Sequence, residues 1–152
     1  MKNIILKDDF REYEIRPAEE FEKYCDLRWR ILRAPWNRPR HKIEDEINDE
    51  SIKLIACDES GEVVGTGRAR FNSPVEAEIK SMTVEESYRR KGIGSQIISE
   101  LERRVRESTA KTIVINSRES AVDFYKKHDY KVIEKSYNIY GDLPHFRMMK
   151  EI

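Results

Sequence analysis

Apolar side chains recur in two rhythms along this chain, and the switches between them mark out its elements. Tyr13 to Arg16 alternates with the two-residue period of a strand, and Pro17 stops it. From Phe21 the period lengthens, so that Phe21, Tyr24, Leu27, Ile31 and Leu32 share one helical face. That helix ends at Ala34-Pro35, because proline disfavours helical backbone at the residue before it. Residues 36–50 keep no rhythm: they are basic first (Arg38, Arg40, His41, Lys42) and then acidic (Glu44, Asp45, Glu46, Asp49, Glu50). This predicts a long loop with room for one helical turn, a kind of connection that is often functional. Ser51–Cys57 and Glu62–Phe71 are strand-like and are joined by the turn signal Asp58-Glu59-Ser60-Gly61, with Val75–Val84 as a third strand. Ile93, Ile97, Leu101 and Val105, with Ile98 beside them, form the buried stripe of a second helix. Lys111–Ile115 is a β-branched run suited to a central strand, Ala121–His128 a short helix and Tyr130–Tyr137 another strand. The break at Gly141-Asp142-Leu143-Pro144 precedes a last strand, His145–Met149.

The order is one strand, a helix, three strands, a helix, a strand, a helix and two closing strands. A strand–helix–strand passage between Val84 and Ile115 requires a parallel crossover, so the fold class is α/β, a mixed sheet flanked by helices. No repeat or linker interrupts the 152 residues, which predicts a single domain over 1–152.

Charge narrows the partners. Lys and Arg total 29 and Asp and Glu total 29, so no whole-molecule field draws nucleic acid or an anionic membrane, and any anion site must be local. Cys25 and Cys57 sit in apolar segments without metal spacing, which fits a reducing, cytoplasmic setting. His41, His128 and His145 show no ligand spacing, and no metal is expected. The apolar run Ile4-Ile5-Leu6 is too short for a signal peptide, and no later stretch could span a bilayer.

The chemistry concentrates in Met82-Thr83-Val84-Glu85-Glu86-Ser87-Tyr88-Arg89-Arg90-Lys91-Gly92-Ile93-Gly94-Ser95-Gln96, where a strand ends and a helix begins with two glycines. Glycine is poor inside helices, so two in one first turn need a reason, and close approach of a ligand to the backbone is one. The first amides of a helix lack intrahelical partners and lie at the positive end of its dipole, where phosphate oxygens are natural partners. Arg89, Arg90 and Lys91 add positive charge there. The segment lacks the Gly-Lys-Ser/Thr ending of a Walker loop, and Ile97 stands where a Rossmann fingerprint needs its third glycine.

Arg89-x-x-Gly92-x-Gly94 resembles the Arg/Gln-x-x-Gly-x-Gly/Ala signature of the GNAT acyltransferase superfamily. Glu78-Ile79-Lys80-Ser81-Met82-Thr83-Val84 is similar to the family's fourth strand, and Ala121-x-x-Phe124-Tyr125-x-x-x-Asp129-Tyr130 to its Ala-x-x-Phe-Tyr-x-x-x-Gly-Phe segment. The first half resembles a bacterial subgroup in Leu27–Trp36 and Glu44-Asp45-Glu46, as does Gly141–Met148 near the end. The resemblance implies a central, mostly antiparallel sheet with one splayed parallel strand pair. It implies an acetyl-CoA-dependent N-acetyltransferase acting on a primary amine of a small molecule or peptide. Met82, Thr83 and Val84 would pair with the pantetheine arm, in the manner of an added strand. The diphosphate would sit on the amides of Arg89, Arg90, Lys91, Gly92, Ile93 and Gly94 with Ser95 nearby, and Ala121 and Phe124 would also touch the coenzyme. Tyr125 matches the general acid that protonates the departing thiolate, and the Met82 amide could stabilise the oxyanion. Glu78, read as sharing a strand face with Val84, and His145 are alternative bases. Trp36 and Phe71 could wall an acceptor pocket, and the acidic run could attract a cationic amine.

Two departures stand out: Asp129 replaces the glycine at the helix end, where a left-handed cap tolerates aspartate, and Arg118 replaces an asparagine common seven residues before the tyrosine. Asn116 or Ser117 could supply that polar contact. Another acyl-CoA, an O-linked acceptor, and a non-catalytic acyl-CoA sensor on the same scaffold are the alternatives, and a homodimer is compatible with the sequence.

Overall fold

A computed structural model describes residues 4–8, 11–19, 21–39, 50–136 and 143–152. The expected acidic run from Glu44 to Asp49, His41, Arg40, Lys42 and the stretch 137–142 lie outside the described residues.

Among the described residues eight strands form one sheet. They are β1 (Ile4–Asp8), β2 (Arg11–Pro17), β3 (Ile52–Cys57), β4 (Val63–Ser73), β5 (Glu76–Val84), β6 (Thr112–Arg118), β7 (Lys131–Lys135) and β8 (His145–Glu151), in the spatial order β1-β2-β3-β4-β5-β6-β8-β7. Every neighbouring pair is antiparallel except β5–β6. The mixed sheet and its single parallel pair match the fold class read from the sequence. β1 was not expected there. It pairs with β2 from Ile4↔Ile15 to Asp8↔Arg11, at the sheet edge, where backbone pairing on one side suffices and the alternation of apolar residues is short.

Among the described residues three α-helices cover the sheet: α1 (Phe21–Leu32), α2 (Ile93–Arg106) and α3 (Val122–Lys126). The stripe Ile93, Ile97, Ile98, Leu101 and Val105 is fully buried and packs with Leu54, Ala69, Ala77, Ile79, Ile113 and Ile115 into the main core. Each such side chain contributes about 1.5–3 kcal/mol by leaving water. Tyr24, Cys25 and Leu27 of α1 bury a second, smaller cluster with Ile55, Cys57 and Val63. Neither cysteine forms a disulfide with the other. No described helix is long and apolar enough to cross a membrane.

Two features of β5 shape the site. The parallel pairing with β6 covers only Glu76–Glu78 against Thr112–Val114, and beyond it the strands part. Ser81 has a left-handed φ of 58° at a bulge between the pairs Arg68↔Lys80 and Thr66↔Thr83. A bulge inserts one residue and bends its strand. It also reverses the alternation of faces. Thr83 lies with Lys80 and Glu78, as its 2.6 Å contact with Thr66 Oγ1 attests, while Val84 joins the opposite, α2-facing side and packs on the main core. Glu78 and Val84 therefore do not share a face, contrary to what simple two-residue counting predicts.

Candidate active site

The site begins where β5 runs out. Glu85 N–H donates to Val64 C=O at 2.8 Å, and a short 3-10 turn, Glu86–Tyr88, leads the chain toward α2. Arg30 clamps this exit with paired hydrogen bonds to Glu85 at 3.1 and 3.0 Å, and Tyr88 Oη donates to Asp58 Oδ2 at 2.9 Å. Arg90 takes a φ of 64°, and Gly92, at the N-cap of α2, takes 82°. The first intrahelical bond runs from Gln96 N–H to Gly92 C=O at 3.1 Å. The amides of Ile93, Gly94 and Ser95 therefore have no partner within the helix and point outward. The Arg89 amide differs from expectation: it donates to Glu86 C=O at 3.2 Å and is not free to hold a ligand. Its side chain turns back, with Nε donating to Val84 C=O at 3.1 Å, which leaves that carbonyl one further lone pair. A Cβ added at Gly94 would stand 3.3 Å from Phe124 Cζ, so the glycine lets α3 pack close against the start of α2.

A cleft of ≈ 920 Å³ opens in front of these amides, between the parted ends of β5 and β6. Met82, Thr83, Val84, Arg89, Arg90, Gly92, Ile93, Gly94, Ser95, Ala121, Phe124 and Tyr125 all line it. Lys91 and Asn116, expected there, are not among the lining residues. The cleft is long, part apolar, and cationic near the helix start, with unpartnered amides at one end. That chemistry fits a nucleotide-linked diphosphate carrying an extended apolar arm.

A second cavity of ≈ 280 Å³ holds Glu78, Lys80, Asn116, Ser117 and His145, with Arg28 and Arg33 of the α1 side. Leu32, Met82, Arg118, Ala121 and Tyr125 belong to the walls of both cavities, so the two meet at Tyr125. Tyr125 lies on α3 and is 7% exposed, with its ring edge-on to Phe124 (5.1 Å) and Tyr130 (6.1 Å). Burial pushes its phenol well above the ordinary tyrosine range, and the nearby Arg118 charge opposes this only in part. The proton therefore stays on the oxygen at neutral pH. α3 closes as the sequence suggests: Asp129 adopts a left-handed φ of 70°, Tyr130 N–H reaches back to Tyr125 C=O at 3.1 Å and Asp129 N–H to Lys126 C=O at 3.1 Å.

Both candidate bases stand in the second cavity. Glu78 is 6% exposed; Asn72 Nδ2 (3.1 Å) and Arg70 Nη2 (3.7 Å) both engage Oε1, so Oε2 keeps its capacity to accept. His145 Nδ1 lies 2.9 Å from Leu143 C=O. A carbonyl only accepts, so Nδ1 carries the hydrogen and the lone pair of the neutral ring resides on Nε2.

Several residues of the site escape a reading of the chain alone. Arg118 donates to Leu32 C=O at 2.9 Å and stacks 4.5 Å over the Trp36 ring, tying the end of β6 to the end of α1 above the cleft. His128 lines the cleft and contacts Ser95 Oγ through Nε2 at 3.0 Å; burial lowers its pKa, which favours the neutral ring. Its spacing of four from Phe124 was the available signal. Lys127 lines the cleft as well, and Phe71, read as a pocket wall, lines neither cavity and is 41% exposed. No group of His, Cys, Asp or Glu among the described residues could hold a metal ion.

The family model for the acetyltransferase (GNAT) domain matches residues 34–152. The chain is 28% identical over 151 residues to the uncharacterized N-acetyltransferase YjcF of Bacillus subtilis, a match that covers 99% of this chain and 100% of that one. Among solved structures it resembles an aminoglycoside 6'-N-acetyltransferase complexed with coenzyme A, with TM-score 0.76, 22% identity and coverage of 90% and 96%. Arabidopsis thaliana NAA60 in complex with a bisubstrate analogue gives TM-score 0.76 at 18% identity, covering 92% and 99%. The chain belongs to the GNAT acetyltransferase family, and it is an acyl-CoA-dependent acetyltransferase.

Proposed function

We propose that this single domain moves the acetyl group of acetyl-CoA directly to a primary amine within a ternary complex, in the cytoplasm and without a metal. The observation that carries the reading is the meeting of two cavities at Tyr125, one fitted for a diphosphate with its arm and the other holding two bases. The amides of Ile93, Gly94 and Ser95 hold the diphosphate, with Arg89, Arg90 and Lys127 as counter-charges. The open edge of β5 at Met82–Val84 takes the pantetheine arm as strand addition does. In the second cavity Glu78 or His145 Nε2 takes a proton from the ammonium form, since only the free amine can attack. The amine nitrogen bonds to the thioester carbon, and the Met82 amide steadies the negative oxygen. The carbon–sulfur bond then breaks, the electron pair leaves on sulfur, and Tyr125 gives that thiolate its proton.

The test pairs calorimetry of acetyl-CoA and free CoA with thiol release across an amine panel. Binding of both, with release stimulated by an amine and by mass one acetyl group on that amine, is the expected result. Binding without any amine-stimulated release overturns the transferase reading in favour of a sensor, and no binding by the folded protein overturns the cleft assignment.

A further inference from the structure

We infer that His128 is a positioning residue for the coenzyme: acting through Ser95, it turns the serine hydroxyl onto the diphosphate and takes up a proton as the diphosphate binds. This rests on the reading of the large cleft as the acetyl-CoA site.

The fold brings the two side chains together from different helices. The His128 amide donates to Tyr125 C=O at 2.9 Å as α3 ends, and its ring packs on Phe124 with centroids 5.0 Å apart. Phe124 in turn abuts the first turn of α2, where a Cβ added at Gly94 would stand 3.3 Å from its Cζ. The imidazole is thereby held against the start of α2, with Nε2 3.0 Å from Ser95 Oγ, and both residues line the cleft. Neither side chain makes another hydrogen bond among the described residues. The Ser95 amide lies among those left without an intrahelical partner, so one residue presents an amide and a hydroxyl to the same place.

The inventory of donors decides what an anion does to this pair. A serine hydroxyl has one hydrogen and two lone pairs, and facing a neutral imidazole it can donate to the ring or accept from it. Phosphate oxygens only accept, so a diphosphate at the start of α2 draws the hydroxyl hydrogen to itself. Ser95 Oγ can then only accept from His128, and Nε2 must carry a hydrogen. The imidazolium meets that demand in full and adds a positive charge behind the serine. Around the ring, burial and Lys150 of β8 oppose that charge, while Glu102 of α2 and Asp129 favour it. Burial prevails in the free protein, and the pKa lies below the ordinary 6.5. Glu102 is already met by Lys150 and Tyr130, so what it lends the ring is limited. Arg90 and Lys127 also line the cleft, and the same anion offsets their charges. A diphosphate therefore changes the sign of the balance: an opposite charge close by raises a histidine pKa, and binding draws in a proton.

The test uses dephospho-CoA beside CoA, because a phosphate monoester itself titrates near about pH 6 whereas the diphosphate stays ionised. Calorimetry of the full chain with dephospho-CoA, in PIPES and in imidazole buffer near the ordinary histidine pKa of about 6.5, reads proton uptake from the difference in enthalpy. Net uptake is expected, with affinity rising about three- to tenfold from about pH 8 to about pH 5.5, since one unit of pKa shift is tenfold in affinity. His128→Gln keeps a donor for Ser95 Oγ but cannot titrate; it should retain affinity at pH 8 within about threefold and lose both the uptake and the rise. Ser95→Ala should weaken the coenzyme and shrink the uptake, with circular dichroism reporting the fold at each pH. A purely structural histidine would lower Tm in the Gln variant and leave the pH profile as it was, which overturns the inference. Should the variants misfold, the wild type decides by itself: tight dephospho-CoA binding without uptake or pH dependence overturns the His128 role and leaves the acetyl-CoA cleft standing. No binding of either coenzyme by the folded protein overturns the cleft reading, and the inference with it.

Discussion

Replacing Tyr125 by phenylalanine separates chemistry from structure at this site. The ring is buried and makes edge contacts with Phe124 at 5.1 Å and Tyr130 at 6.1 Å, all of which a phenylalanine ring keeps. No hydrogen bond joins its hydroxyl to another described residue, so the loss of stability stays below about 1 kcal/mol. For a chain of this length that is a shift in Tm of no more than ~4 °C. Loss of a general acid costs 10²–10⁴ in rate, or about 3–5 kcal/mol at 1.36 kcal/mol per tenfold. Tyr125→Phe is therefore expected to lower kcat by at least about a hundredfold, with acetyl-CoA affinity and Tm almost unchanged. Steady-state thiol release, calorimetry and a thermal melt read the three quantities. The pH profile gives an independent check. Burial raises the Tyr125 pKa above its ordinary value of 10.0, and the acid works only when protonated. The wild-type kcat should then show no alkaline fall below about pH 10, the ordinary tyrosine range. A phenylalanine variant within threefold of wild type, or a fall in kcat near neutrality that the variant abolishes, refutes the role.

Three other perturbations follow from local physics. Gly92→Ala meets nothing within 4 Å but must hold a φ of 82°, and left-handed backbone costs an alanine roughly 1–2 kcal/mol. Offset by a stiffer unfolded chain, the net is about 1 kcal/mol, a Tm lower by ~2–4 °C, and weaker acetyl-CoA binding as the amides tilt; an unchanged melt would contradict it. Lys150 Nζ lies 3.2 and 3.1 Å from the two oxygens of buried Glu102, which also accepts from Tyr130 Oη at 2.7 Å. Lys150→Met should cost ~1.5–3 kcal/mol in urea unfolding, and adding Glu102→Gln should recover part of it; a single-variant cost under about 0.5 kcal/mol, within ordinary surface scatter, would count against the network. Asp58 is pushed up by burial, but hydrogen bonds from Ser60, the Glu62 amide and Tyr88 outweigh that and its pKa falls below the ordinary 3.8. A lowered carboxylate stabilises the fold above its unfolded pKa and stops doing so as pH falls through the folded one. The stability gap between wild type and Asp58→Asn should therefore hold at neutral pH and close only below about pH 4, and a constant gap down to pH 2 would disprove the linkage.

The order of elements after β1, the α2 stripe and the glycine-bearing helix start were legible in the chain, because each depends on residues a few positions apart. Ile93, Ile97, Leu101 and Val105 recur at helical spacing and are buried as that spacing requires. Gly92 sits at a left-handed N-cap, and Asp129 takes the left-handed turn that ends α3. Even the candidates for chemistry, Tyr125, Glu78 and His145, could be named from local strings.

What only the tertiary structure decided is where these strings meet. The bulge at Ser81 sends Glu78 and Val84 to opposite faces, and one inserted residue is invisible to counting by twos. The early parting of β5 and β6 after Glu78 and Val114 depends on how two strands 36 residues apart twist together, not on either strand alone. Arg118 finds Trp36 and Leu32 across more than 80 residues, and Arg28, Lys80 and Asn116 gather in one wall from a helix and two strands. Local sequence sets periodicity and turns through short-range sterics and burial. The composition of a cavity is a sum over distant segments, and the chain carries no short-range record of that sum.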